Sequence, residues 1–209
     1  MTSSMWLGRF LVWLLAPLIR ALMRVKVIGQ ENLPPEGEKL VLCSNHISNW
    51  DPIVLIVAQP KRHIYFMAKA ELFKNPLFAW LLGKQFGAFA VHRGTGDTDA
   101  LAVAKKLVEE GKIMGIFPEG TRSKDGKLLR AKSGTSLIVV QTGATVQPVA
   151  VVARKQRMCP FRRTLVVYGK PLSPADLHLD GEKPDIRYAS RRLMEVIGDL
   201  IEQHRAEVE

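Results

Sequence analysis

Residues 40–52 read LVLCSNHISNWDP, and this stretch decides the fold of the 209-residue chain. A short, continuous apolar run followed at once by polar residues is typical of a buried strand and the loop beyond its carboxyl end. From residue 40 onward, runs of this kind alternate with longer helix-like segments. The alternation predicts an α/β fold, a single domain with a largely parallel central sheet flanked by helices.

The same alternation places the individual elements. We predict strands at 25–28, 40–44, 64–68, 88–91, 113–117, 146–152 and 164–168, and helices at 52–57, 71–82, 98–110, 133–141 and 186–205. The chain length suits one domain with a sizeable core. Its two cysteines, Cys43 and Cys159, lie far apart, which excludes a disulfide framework and a cysteine-based metal site and favours a reducing compartment.

Positive charge is unevenly distributed along the chain. Lys and Arg number 30 against 20 Asp and Glu, and residues 126–175 contain nine basic side chains and no acidic one. Such a surface attracts nucleic acid, an anionic membrane or a phosphorylated substrate. A nucleic-acid-binding module is disfavoured because the sequence lacks a zinc-finger pattern, a P-loop and aromatic residues interleaved with basic ones. We therefore expect no nucleic-acid partner.

The N-terminal segment is apolar, but its uninterrupted stretch covers only ten residues, 10–19. A helix of that length spans about 15 Å, half of the hydrocarbon core of a bilayer, so we expect it not to cross. Basic and aromatic side chains share one stripe of the helical wheel, namely Arg9, Arg20, Arg24, Trp6 and Trp13. This pattern favours a helix lying in the headgroup layer.

A helix packed on the protein core is the competing interpretation of the N-terminal segment. A signal peptide is disfavoured because basic residues, and no small-residue cleavage site, follow the apolar stretch. We predict a membrane-associating helix over residues 1–24 and the α/β domain over residues 25–209.

The polar loop after the strand at 40–44 contains a histidine and an aspartate five positions apart, His46 and Asp51. Across a turn, the carboxylate can accept one ring N–H, fix the tautomer and leave the other ring nitrogen to act as a general base. Asp51 precedes a proline, so it could also start a helix. Three neighbouring polar side chains, Asn45, Ser48 and Asn49, favour a functional role for this pair.

A second histidine and aspartate, His92 and Asp97, have the same spacing. Spacing alone therefore does not choose between the two pairs. Asp97 immediately precedes a helix-like run, and we interpret it as the N-cap of that helix.

Residues 117–123, FPEGTRS, also follow an apolar strand and combine an acid, a glycine and an arginine. A guanidinium group matches the oxygens of a phosphate with two parallel hydrogen bonds. Together with Arg93 at the end of another strand, Arg122 could clamp a phosphomonoester, while Glu119 accepts from a hydroxyl or positions the clamp. A surface Arg–Glu pair in a turn is the alternative.

Taken together, these segments resemble the lysophosphatidic acid acyltransferase family of glycerolipid acyltransferases, in order and spacing over roughly residues 25–170. Residues 45–51 resemble its first motif, NHxSxxD, and residues 117–123 resemble its third, FPEGTRS. Residues 87–93 are similar to the second motif, which ends in the arginine of a phosphate site. Residues 146–149, with Pro148, resemble the fourth, a strand beside the acyl site.

The resemblance implies an enzyme that transfers an acyl chain from an acyl thioester to the sn-2 hydroxyl of lysophosphatidic acid, giving phosphatidic acid for phospholipid biosynthesis. Another acceptor, such as glycerol 3-phosphate, a different lysophospholipid or a lyso-aminolipid, is the alternative. A serine hydrolase of lipids is disfavoured because the sequence has no G-x-S-x-G elbow.

The resemblance also implies residue roles. His46 is the catalytic base, oriented by Asp51; Arg93 and Arg122 bind the substrate phosphate; the acceptor is supported by Glu119, Gly120 and Thr121; and Asn45 and Ser48 support the first motif.

We expect no metal and no cofactor, with acyl-CoA or acyl-acyl carrier protein as co-substrate. The expected partners are a lysophospholipid acceptor and an anionic membrane surface. The expected location is the cytoplasmic face of the cell membrane, as a monotopic or peripheral protein.

Overall fold

The computed structural model describes residues 5–91 and 97–209, and in this part of the chain seven strands pair into one sheet. The strands are β1 (Val25–Ile28), β2 (Leu40–Ser44), β3 (Ile64–Lys69), β4 (Phe89–Val91), β5 (Ile113–Ile116), β6 (Thr145–Ala153) and β7 (Thr164–Tyr168). Their order is β1-β7-β6-β2-β5-β3-β4. Every neighbouring pair is parallel except β6 with β7. The predicted, largely parallel sheet is confirmed.

Helices cover both faces of the sheet. They are α1 (Trp6–Leu22), α2 (Asp51–Ala58), α3 (Pro76–Phe78), α4 (Thr98–Glu109), α5 (Gly134–Thr142) and α6 (Ile186–His204). Short 3₁₀ turns occupy Gln30–Asn32, Ala70–Phe73, Arg154–Gln156, Ala175–Leu177 and Arg205–Glu207. Helices α1 and α2 lie on one face, and α4, α5 and α6 lie on the other.

Strand β2 lies in the middle of the sheet, and all five of its residues are buried. Leu40 and Leu42 pack into the core beneath α2, whereas Val41 and Cys43 pack into the core beneath α4, α5 and α6. A strand covered on both faces needs apolar side chains at every position rather than at alternate ones. This requirement explains why the first four residues of β2, LVLC, are continuously apolar.

The single helix predicted over residues 71–82 is wrong. The chain forms a 3₁₀ turn, then α3, and then a π-helical segment at Ala79–Gln85. Asn75 has extended backbone, with φ −83° and ψ 121°, because the residue before a proline disfavours helical angles. Its side chain caps the new helix by accepting from the N–H of Leu77 at 2.9 Å.

Helix α1 packs one face on the protein, against α2 and the π-helical segment. Gly8 lies at the closest approach, where its N–H donates to Oε1 of Gln85 at 3.0 Å and an added Cβ would lie 2.0 Å from the Gln85 carbonyl oxygen. The other face exposes Trp6 (68%) and Trp13 (72%). Within the described residues, no helix combines the length and apolar composition that a crossing of the bilayer requires.

Candidate active site

The site is built at the carboxyl end of β2, where the next residue, Asn45, ties β2 to β6. Its side-chain Nδ2 donates to the carbonyl of Val151 at 2.9 Å, and its Oδ1 accepts the N–H of Val151 at 2.8 Å. Asn45 is completely buried, so both bonds are shielded from water. The paired bonds extend the β2–β6 ladder through a side chain and fix the position of the following residue, His46.

His46 and Asp51 form a buried pair. Nδ1 of His46 lies 2.6 Å from Oδ2 of Asp51, and the same oxygen accepts the backbone N–H groups of Ile47 at 2.7 Å and Ser48 at 2.8 Å. Oδ1 of Asp51 is buried and has no hydrogen-bond partner among the described residues. Because the carboxylate is acceptor-only when ionised, Nδ1 carries the ring proton and Nε2 is left as the basic nitrogen.

Asp51 begins α2, as predicted, with Pro52 in its first turn. Its carboxylate, however, does not cap the N–H groups of its own helix. It points back to the loop of His46 and accepts from that loop instead. Asp51 therefore has both predicted roles at once: it begins α2, and its carboxylate pairs with His46.

The imidazole of His46 is stacked face to face on an aromatic ring. Its ring lies 4.1 Å from the ring of Phe117 at an interplanar angle of 16°, and Phe117 stacks in turn on Phe66 at 5.6 Å. The described residues offer no hydrogen-bond partner to Nε2 of His46. With Nδ1 occupied and the ring face covered, Nε2 is the atom of His46 available for proton transfer.

Glu119, in the loop that follows β5, supports the loop of His46. Its Oε1 accepts the backbone N–H of His46 at 2.8 Å, and its Oε2 accepts the backbone N–H of Leu129 at 2.9 Å. Burial raises the pKa of the Glu119 carboxyl above its ordinary value, although these two N–H bonds oppose the rise. Since both oxygens already accept from the backbone, this geometry favours a positioning role over direct contact with a hydroxyl of the acceptor.

A cavity of about 420 Å³ opens beside His46. Its walls are mainly apolar and include Met67, Leu101, Ile116, Leu137 and Ile138. An apolar cavity bordered by a histidine suits a hydrocarbon chain attached to a reacting polar group.

Gly120 and Lys132 border the same cavity. Gly120 has φ +68°, and an added Cβ would lie 2.9 Å from Cδ of Lys132. The backbone N–H of Lys132 donates to the carbonyl of Pro118 at 2.8 Å, which holds the two loops together. Lys132 was not identified as a site residue from the sequence. The available signal was its position, after FPEGTRS and directly before a predicted helix.

The predicted phosphate clamp is described only in part. Arg122 and Thr121 lie in the loop after β5 and are exposed, and Arg122 makes no ion pair within the described residues. Arg93 and His92 fall outside the described residues. Asp97 caps α4, since its Oδ1 accepts the N–H of Ala100 at 3.0 Å, so its predicted capping role is confirmed.

Pro148 lies buried in β6 opposite Cys43 of β2. It is not among the described residues that line the cavity beside His46. The described His, Cys, Asp and Glu side chains do not gather in groups of three or more that could hold a metal ion. Both cysteines are free thiols.

Fold and site together define a class: an α/β enzyme whose buried His–Asp pair borders an apolar cavity at the carboxyl edge of a mostly parallel sheet. A family model described as Acyltransferase matches residues 24–152. The 1-acyl-sn-glycerol-3-phosphate acyltransferase of Bacillus subtilis is 34% identical over 163 residues, 76% of this chain and 79% of that protein. The chain therefore belongs to the lysophosphatidic acid acyltransferase family.

Two further relatives bear on fold and substrate. The solved structure of the 1-acyl-sn-glycerophosphate acyltransferase of Thermotoga maritima matches with a TM-score of 0.72 and 25% identity, covering 95% of this chain and 78% of that one. The lyso-ornithine lipid O-acyltransferase of Pseudomonas aeruginosa is 34% identical over 148 residues, 68% of this chain and 53% of that protein. Several other relatives are longer, and the chain spans about half of their length.

Proposed function

We propose that this protein transfers an acyl chain from an acyl thioester to the sn-2 hydroxyl of lysophosphatidic acid, giving phosphatidic acid. The observation that carries the proposal is the His46–Asp51 pair, with Nδ1 bonded at 2.6 Å and the ring bordering an apolar cavity, in a chain of this family.

In the proposed reaction, Nε2 of His46 removes the proton of the acceptor hydroxyl. The oxygen attacks the thioester carbonyl, a C–O bond forms, and the C–S bond breaks. The thiolate leaves and takes the proton back from the imidazolium. Asp51 keeps the ring in the required tautomer and stabilises the imidazolium, a contribution that together with base catalysis amounts to about 10²–10⁴-fold.

Charge on the reacting oxygen also needs stabilisation. The residues that begin α5, including Gly134 and Thr135, line the same cavity as His46. The first N–H groups of an α-helix have no partner within the helix, so they are available to an oxyanion nearby. Glu119 and Asn45 act as positioning residues in this scheme, since each holds backbone rather than substrate.

For the phosphate of the acceptor, the proposal assigns Arg93 and Arg122, with Gly120 and Thr121 in the loop that carries Arg122. The exposed position of Arg122 supports this assignment, because the next residue, Ser123, donates its backbone N–H to the carbonyl of His46 at 2.8 Å. A planar guanidinium binds a phosphomonoester with two parallel hydrogen bonds.

The proposal includes no metal and no cofactor, and the co-substrate is acyl-CoA or acyl-acyl carrier protein. It places the protein as a peripheral or monotopic protein on the cytoplasmic face of the membrane, with α1 in the interface. The exposed tryptophans of α1, Trp6 and Trp13, support this position, since indole rings favour the headgroup layer.

The test uses purified full-length protein in lipid–detergent micelles with lysophosphatidic acid and a long-chain acyl-CoA, and then with acyl-acyl carrier protein. Release of thiol and formation of phosphatidic acid are followed. We expect acceptor-dependent thiol release that falls about 10²–10⁴-fold in His46→Ala and persists in His178→Ala, a matched change at an exposed histidine. A folded, fully active His46→Ala protein would refute the assignment of the base.

Lyso-ornithine lipid is the second candidate acceptor, because the Pseudomonas relative of that name has the same 34% identity as the Bacillus one, over 148 rather than 163 residues. This lipid lacks the phosphomonoester that Arg122 would bind. Parallel assays with both acceptors distinguish the two functions: the acceptor with the higher kcat/KM is the substrate.

A further inference from the structure

A cluster of basic side chains lies on the connection between β6 and β7, residues 154–163, which we name the basic loop. It contains five Arg and Lys and no acidic residue. Four of them surround a cavity of about 510 Å³, together with Cys159: Arg154, Lys155, Arg157 and Arg162. None of these charges is used by the active site described above.

The basic loop is not neutralised by the rest of the described structure. Its arginines and lysine form no ion pair among the described residues, and Arg163 donates only to the backbone carbonyl of Glu207, at 3.2 Å. Glu207 and Glu209 line a neighbouring cavity with Arg162. Glu207, however, is already paired with Lys26 and His204, both at 2.7 Å. The loop therefore presents a net positive surface.

Phe161 lies within this positive surface and is 74% exposed. Its backbone is left-handed, with φ +63°, which is unfavourable for a residue with a large side chain. Its N–H donates to the carbonyl of Leu22 at 2.6 Å, so the loop is attached to the end of α1. The protein thus holds a large apolar ring outward between arginines.

The exposed face of α1 continues this surface. Leu14 and Leu18, in the second half of the helix, are exposed, and Arg20 lies in its last turn. The exposed apolar residues of α1 therefore lead to the helix end at which the basic loop and its exposed aromatic ring are attached. This combination fits a lipid–water interface, where rings enter the interfacial layer and cations contact anionic headgroups.

The basic loop also lies at the same edge of the sheet as His46. Asn45, which precedes His46, is bonded to Val151 of β6, and Arg154 follows Val151 by three residues, roughly 10 Å of strand. The end of β6 pairs with the start of β7, which pairs with the start of β1. The loop and the end of α1 are therefore beside the active-site edge.

We propose that the basic loop is a second membrane contact, which binds the phosphate groups of anionic lipids through Arg154, Arg157 and Arg162 and inserts Phe161 into the interface. Together with α1 it turns the active-site edge towards the bilayer, where a lipid acceptor is found. The inference rests on the proposed function for the identity of that acceptor. An acidic carrier protein would match the arginines, but it would leave the adjoining apolar face of α1 uncovered.

The experiment measures binding of the full chain to sedimenting vesicles of phosphatidylcholine, with and without phosphatidylglycerol, over a range of salt concentrations. The test variant combines Arg154→Gln, Arg157→Gln and Arg162→Gln. The control removes three exposed charges from α4 and α6, which lie on the face of the sheet opposite α1: Lys106→Gln, Arg187→Gln and Arg191→Gln. Phe161→Asn tests the ring, because asparagine tolerates positive φ.

Each basic side chain near an anionic surface is worth about fivefold in binding, so the test variant should bind anionic vesicles at least tenfold more weakly. Its dependence on salt should also be shallower than that of the wild type. The control should stay within about twofold, since its charges face away from the bilayer. Phe161→Asn should weaken binding to both vesicle types. Thermal unfolding of each variant checks that the fold is retained.

Unchanged vesicle binding by the folded test variant would overturn the proposal. A raised KM for acyl-acyl carrier protein, with vesicle binding unchanged, would overturn it in favour of protein docking. Turnover in micelles is measured separately on the same variants and should be unaltered. Failure of the wild type in that assay would refute the proposed transferase reaction, whereas the vesicle measurement would still decide the role of the loop.

Discussion

Glu119 and His46 are 73 positions apart in the chain, and Oε1 of Glu119 accepts the backbone N–H of His46 at 2.8 Å. Its second oxygen, Oε2, holds Leu129 in the loop that leads to α5. In return, the carbonyl of His46 accepts the N–H of Ser123, next to FPEGTR, at 2.8 Å. The loops after β2 and β5 therefore support each other, and the orientation of His46 depends on both.

Replacing Glu119 with glutamine should change how stability depends on pH. Burial raises the pKa of this carboxyl in the folded state, so the unfolded chain loses the proton first as pH rises. The folded state then binds more protons, and its free energy of unfolding falls with rising pH just above the ordinary carboxyl pKa.

This fall in the free energy of unfolding with rising pH should be present in the wild type and absent from Glu119→Gln. Urea unfolding between about pH 4.5 and 7 measures it. At neutral pH the variant keeps only one acceptor oxygen, so activity should also fall. Parallel wild-type and variant pH profiles would contradict the assignment of this titration to Glu119.

Asp51→Asn should lower kcat about 10²–10⁴-fold while the protein stays folded. An amide at this position can donate a hydrogen bond to Nδ1, which stabilises the tautomer whose Nε2 is protonated and cannot act as a base. Steady-state kinetics in micelles measure the effect. Asp99→Asn, at an exposed aspartate of α4, is the control and should keep full activity. Equal activity of the two variants would argue against the orienting role of Asp51.

Gly120→Ala and Gly143→Ala make a matched pair, because their backbones have φ +68° and +66°. Alanine at such angles should cost each protein roughly 1–2 kcal/mol of stability. Only at Gly120 does the new methyl group meet a side chain, Lys132, whereas nothing lies within 4 Å at Gly143. We expect both variants to lose similar stability in thermal unfolding.

The activities of the two glycine variants should differ. In Gly120→Ala, Lys132 must move away from the cavity beside His46, and turnover should fall more than about tenfold, a loss equivalent to roughly 1.4 kcal/mol. Gly143→Ala should remain active. If both variants kept full turnover, the contact between Gly120 and Lys132 would have no bearing on the site.

Arg122→Gln should raise the KM for lysophosphatidic acid by about tenfold or more and leave the KM for the acyl donor unchanged. Arg122→Lys keeps the charge but loses the planar fork, so it should recover part of the affinity. Arg130→Gln, an exposed arginine eight positions further along, is the control. Equal effects of Arg122→Gln and Arg130→Gln would indicate a general electrostatic contribution rather than a phosphate contact.

Much of the fold follows from local sequence pattern. The limits predicted for β2 and β7 agree with the structure to the residue, because the interior of each strand is buried on both faces and apolar, and a polar residue or glycine follows its end. The region at 71–82 was mispredicted, because apolar periodicity continues across Pro76 whereas the backbone of Asn75 is extended.

The candidate site, like the fold, follows only in part from local sequence pattern. The spacing of His46 and Asp51 was visible as a pattern, and a turn of five residues can bring their side chains together without help from the rest of the chain. The same spacing in His92 and Asp97 shows that the pattern alone is ambiguous. For His46 and Asp51, the structure adds the stack of Phe117 on the ring and the bond between the His46 backbone N–H and Glu119.

The sequence by itself determined most element types, the largely parallel sheet and the positions of the polar loops, since these depend on periodicity and on neighbours a few residues apart. Only the tertiary structure decided that Asn45 joins Val151, 106 positions away, and that Glu119 holds the backbone of His46. Such bonds depend on strand order and register, which bring distant loops to one edge of the sheet. No local pattern encodes that order, because it is chosen by the packing of all the strands together.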